Sequence, residues 1–129
     1  MVNTMTADEL MFWDQWPQLV PLYETLKAQL VNAYPDIKTK VSKSQISFYN
    51  RHMFAMVSPP TRRKKDWPKE FMMVSFGLPV QVDSPRIAMS VEAYPNRWTH
   101  HVIVKSTEDI DGVLLGWIHE AYSFSESKR

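Results

Sequence analysis

Residues 44–57 read SQISFYNRHMFAMV, and the spacing of apolar side chains in this stretch decides the class of fold. Ile46 and Phe48 alternate with Gln45, Ser47 and Tyr49, the period of two that sends successive side chains to opposite faces of a strand. Asn50-Arg51 marks a hairpin tip, and Met53, Ala55 and Val57 carry the return strand to Ser58-Pro59-Pro60.

Toward the C-terminus the same period recurs. Phe71–Leu78 aligns Met72, Val74, Phe76 and Leu78 on one face, and Arg86–Tyr94 aligns Ile87, Met89, Val91 and Ala93. Pro95-Asn96-Arg97 then turns the chain into Trp98–Lys105. Toward the N-terminus the period is helical. Thr6 with Glu9 forms a capping box ahead of Phe12, Trp13 and Trp16. After a break at Trp16-Pro17, Leu19, Leu22, Tyr23, Leu26, Leu30 and Ala33 form one face, with Lys27 assigned to the opposite, polar side. Ser106 or Thr107 caps a last helix with Glu108, Asp109 and Asp111 near its start, where the dipole favours acids. Its apolar stripe is Ile110, Val113, Leu114, Trp117, Ile118 and Ala121.

These elements predict an α+β fold: an antiparallel five-stranded β-meander with the N-terminal helices and the C-terminal helix packed on one face, the other face solvated or lining a groove. With 129 residues, 44% apolar and 22% charged, one domain is expected. Residues 1–16 read as an N-terminal helical extension, 17–124 as the domain and 125–129 as a disordered tail. Zero cysteines exclude disulfides, thiolate metal sites and cysteine nucleophiles. Three glycines are too few for the usual phosphate-cradling loop. The first 14 residues hold no Lys or Arg and no apolar run spans a bilayer, so a cytoplasmic location is expected.

The net charge of +1 hides an asymmetry. From Ile37 to Lys65 stand Lys38, Lys40, Lys43, Arg51, Arg62, Arg63, Lys64 and Lys65 with no acid between them, whereas Ser106–Ser127 is purely acidic. Arg62-Arg63-Lys64-Lys65 is expected to steer anions or nucleic acid, or to serve only as a solvated loop. Tyr94, Arg97, Trp98, His100 and His101 form a second cluster with two aromatic platforms, a guanidinium and imidazoles. Tyr49, Arg51 and His52 bring similar chemistry on another hairpin, and together the two would line a pocket for an anionic or planar ligand.

Adjacent His100 and His101 face opposite ways in a strand, so they do not close on one ion, and neither a metal nor a cofactor is expected. One of the pair faces the core and the other the groove or solvent. No GxSxG or SxxK motif marks a nucleophile. The eight methionines read first as adaptable core filling. Gly112 and Gly116 lie on the side of the last helix away from its stripe, a possible homodimer face.

Leu22-Tyr23-Glu24, Ser44–Tyr49, Phe54-Ala55, Ser84-Pro85-Arg86-Ile87, Pro95–His101 and the run from Asp109-Ile110-Asp111 to Glu120-Ala121-Tyr122 resemble the small bacterial domain family DUF5655. The resemblance covers about Leu19 to Phe124. It implies no assigned activity, and the occurrence of related domains beside nuclease-like modules inclines the reading toward nucleic acid. The leading expectation is a non-catalytic binding module for an anionic ligand or nucleic acid. The alternatives are a small enzyme using His100 or His101 as general base, and a homodimeric interaction domain.

Overall fold

The structure is a computed structural model that describes residues 6–60 and 65–127. Helix α1 spans Ala7–Phe12, and its capping box is formed: Glu9 N–H donates to Thr6 Oγ1, and Thr6 N–H donates to Glu9 Oε1. A 3-10 turn, Pro17–Leu19, feeds α2, Val20–Ala33, which ends at Tyr34 ahead of Pro35. Six strands follow: β1 Lys38–Val41, β2 Ile46–Tyr49, β3 Met53–Ser58, β4 Met72–Leu78, β5 Ile87–Tyr94 and β6 Arg97–Val104. A second 3-10 turn, Thr107–Asp109, is capped by Ser106. Helix α3 runs Gly112–Ser127, and the Asp111 carboxylate accepts the Leu114 N–H at its start.

All pairings are antiparallel, in the order β1-β2-β3-β4-β6-β5. The sequence expectation is corrected in two respects: the sheet has six strands rather than five, and it is not a simple meander. The added strand, Lys-Thr-Lys-Val at the β1 edge, half-buries Thr39 and Val41 and exposes both lysines. The meander breaks because β6, not β5, pairs with β4. His100, Val102 and Val104 of β6 are fully buried, whereas β5 is half-buried or exposed throughout. The more apolar strand takes the inner place, and the segment 79–86 crosses β6 to reach the edge. Asn96, with φ of 63°, supplies the left-handed residue of the tight β5–β6 turn behind Pro95.

Both long helices cover one face. Phe48, Ala55 and Phe76 are neighbours in one cross-sheet row. Tyr23 of α2 stacks on Phe48, and Trp117 of α3 stacks on Phe76. Val82 of the crossing segment reaches the same side of β6, where its N–H donates to His100 Nε2 at 2.9 Å. Trp13 is fully buried, which ties the N-terminal extension to the core. Helix α3 continues past Phe124 because Ser125 is buried and donates to Asn50 Oδ1 at 2.5 Å and to the His52 carbonyl at 3.1 Å. No helix among the described residues is long and apolar enough to cross a membrane.

Candidate functional site

The sequence cluster Tyr94–His101 divides between three environments. His100 is fully buried beneath the helices and stacks on Phe76, with ring centroids 5.3 Å apart. Nε2 accepts the Val82 N–H, while the buried Nδ1 has no hydrogen-bond partner among the described residues. Burial, and secondarily the neighbouring His101, lower its pKa against an opposing effect of the Phe76 and Trp98 backbone, so His100 is a neutral core group. His101 faces the other way, as strand alternation requires.

Tyr94, Arg97 and Trp98 stay together at one end of the sheet. With Met53, Leu78 and Phe124 they line a cleft of about 180 Å³. The Arg97 guanidinium carbon stands 6.0 Å from the centroid of the Phe124 ring, and Tyr94 is 70% exposed at the rim. The β2–β3 turn lies toward the same end. Its Arg51 is exposed, His52 and Tyr49 are half-buried, and Lys38 pairs with Tyr49 in the sheet. Tyr49, Arg51 and His52 do not line the cleft, because the last turn of α3 holds that turn through Ser125 and through the Tyr122 carbonyl, which accepts from Asn50 Nδ2. Arg62, Arg63 and Lys64 lie outside the described residues, and Lys65 is exposed.

On the face away from the helices, one cross-sheet row runs Lys40, Ser47, Met56, Ser75, His101, Met89. A pocket of about 460 Å³ sits over its centre, floored by Ser75 and His101 and walled by Pro59, Pro60, Trp67 and Phe71. Ser75 Oγ lies 2.7 Å from His101 Nδ1. Burial lowers the His101 pKa, so this imidazole too is held toward its neutral form. Residues 56 and 101 flank Ser75 in the ladder. With strands on both sides, the backbone amides around Ser75 are committed to the sheet, and an oxyanion hole of amides does not form beside its hydroxyl. The sequence sets Ser75 aside as a strand residue outside any nucleophile motif, and its partner His101 is 26 residues away on another strand.

A third group of buried polar side chains lies beneath α1. Glu9 accepts from Lys27 Nζ at 2.6 and 2.7 Å, and Tyr23 OH donates to the same carboxylate. Burial alone would raise the Glu9 pKa. The hydrogen bonds from Lys27, Tyr23 and Thr6 outweigh it and hold the carboxyl below its ordinary value. Burial and Glu9 together push the Tyr23 phenol far up. Lys27 is therefore not on a solvated helix face. It is the counter-ion of a carboxylate on another helix.

Comparison with known families matches residues 11–125 to one family, described as Domain of unknown function (DUF5655). The chain belongs to the DUF5655 family. The match begins inside α1 and ends at Ser125, so it takes in the cleft, the open-face pocket and Lys27 of the buried ion pair. Neither a curated protein nor a solved structure matches this DUF5655 domain. Among its described residues no cluster of three or more His, Cys, Asp or Glu side chains is placed to hold a metal ion.

Proposed function

We propose that this DUF5655 domain is a binding module for an anionic ligand with a planar body, of the nucleotide type, taken up at the sheet end beside Arg97. The observation that carries the reading is the cleft itself: Tyr94, Trp98 and Phe124 offer ring surfaces, and the guanidinium of the exposed residue Arg97 stands beside one of them. A planar base stacks on aromatic or guanidinium planes, and its phosphate takes the fork of N–H donors. Arg51 on the neighbouring turn and the basic sequence 62–65 would add steering at a distance, with a strong dependence on salt.

The test is fluorescence anisotropy of labelled mononucleotides and short single-stranded oligonucleotides at two salt concentrations, with wild type, Arg97→Ala and Tyr94→Ala. Both side chains are exposed, so neither change threatens the fold. Binding that weakens as salt rises and drops about tenfold in Arg97→Ala supports the reading. Equal binding by the three proteins, or none at low salt, removes it. Binding of oligonucleotides but not of mononucleotides would make a nucleic-acid strand the ligand.

A further inference from the structure

Independently of that cleft, we propose that the open-face pocket is a binding site for a soft monovalent metal ion, copper(I) or its redox-silent analogue silver(I), held by His101, Met89 and Met73 with Met56 alongside. Three of the chain's eight methionines line this one pocket together with a histidine. Met89 is the direct cross-strand neighbour of His101, one strand spacing of about 4.8 Å away. Met73 is diagonal to it, since Met73 pairs with Ile103, at a distance of about 7–8 Å between backbones. Met56 stands on the far side of Ser75. A methionine has three rotatable bonds and no branch, so these thioethers can swing onto an imidazole at such spacings.

The chemistry of the donors selects the ion. Among the described residues the lining holds no carboxylate, no lysine and no arginine, and the chain has no cysteine. Thioethers with a neutral imidazole suit a soft monovalent ion, whereas magnesium, calcium and manganese need oxygen ligands. Burial favours the neutral imidazole that a metal requires. The 2.7 Å contact to Ser75 occupies Nδ1 and leaves Nε2 with no hydrogen-bond partner among the described residues. An imidazole that ligates through Nε2 carries its proton on Nδ1 and donates it to Ser75 Oγ, the outer-shell contact that fixes ring orientation. Ser75 is thus a positioning residue. Pro59, Pro60, Trp67 and Phe71 supply an apolar wall to the pocket. The three sulfur donors come from three different strands, so no local spacing in the sequence announces the set.

Silver(I), in chloride-free buffer, is titrated into the full-length protein carrying 13C-methyl methionine, and the methyl resonances are followed. The expected result is saturation at one equivalent, with shifts at Met56, Met73 and Met89 and none at Met11 or Met72. The near-isosteric Met89→Leu and Met73→Leu, and His101→Gln, each weaken binding about tenfold or more, and Ser75→Ala weakens it by a smaller factor. Unperturbed resonances elsewhere establish that each variant is folded. Shifts that begin at Met11, affinity unchanged in the leucine variants, or displacement of silver(I) by equimolar zinc(II) would each overturn the proposal. None of these outcomes depends on whether the Arg97 cleft binds an anion.

Discussion

Lys27 sits on a helix side that the sequence pattern gives to solvent, yet its side chain is only 7% exposed and that of Glu9 is 1% exposed. Removing one member of such a pair strands the other charge in a dry site, which costs about 3–5 kcal/mol. Lys27→Met is therefore expected to lower the free energy of unfolding by that amount in urea titrations at neutral pH. The double variant Glu9→Gln/Lys27→Met should recover much of the loss, because no unpaired charge remains. The sign of the pH effect follows from Glu9, whose carboxyl is held below its usual 4.5 in the folded chain. Its contribution is present above that unfolded value and is lost as pH falls through the lower, folded one. Wild type should lose stability on acidification below pH 4.5 more steeply than Glu9→Gln. Parallel stability curves for the two would remove Glu9 from the acid response.

Among the elements, α3 shows how local signals and tertiary contacts share one helix. Its start is local: Asp111 accepts the Leu114 N–H, and this carboxylate also pairs with Arg86 at 2.9 Å. The Leu114 N–H is the leading cause of its lowered pKa, ahead of Arg86. The cap rather than the half-exposed ion pair should then carry the stability. Asp111→Asn, which keeps the cap acceptor, should be nearly silent. Asp111→Ala should cost about 1 kcal/mol by thermal or urea unfolding. Equal losses in the two would shift the credit to Arg86. The end of α3 is tertiary. Ser125 bonds back to Asn50 and His52, 75 and 73 residues away. Ser125→Ala should speed amide exchange in the β2–β3 turn while leaving β4 and β6 protected. Unchanged exchange at Asn50–His52 would show that the turn holds itself.

At the scale of the molecule, the N-terminal residues decide whether the rest is complete. Trp13 belongs to the buried core, and Glu9 neutralises Lys27, so a chain beginning at Pro17 lacks both. Such a truncation is expected to lose cooperative urea unfolding or to shift its midpoint sharply downward. A midpoint near that of the full chain would make residues 1–16 dispensable. Much of the architecture was legible from local periodicity. The strand around Ile46 and Phe48, the break at Pro17, the Thr6–Glu9 cap and the opposite facing of His100 and His101 follow from backbone geometry within a few residues. Lys38–Val41 escaped because four residues with two exposed lysines carry little apolar pattern. Of the candidate site, Tyr94, Arg97 and Trp98 were legible as neighbours in sequence, whereas Ser75, Met56, Met73 and Met89 were not. By itself the sequence determined the type and order of the long helices and of five of the six strands, and the face that most of their side chains take, with Lys27, Val113 and Met89 as exceptions. Only the tertiary structure decided that β6 stands between β4 and β5, and so which residues meet His101. Periodicity is set by each strand's own backbone. Adjacency is settled by competition among strands for the buried centre of the sheet, where His100, Val102 and Val104 prevail over the half-exposed face of β5.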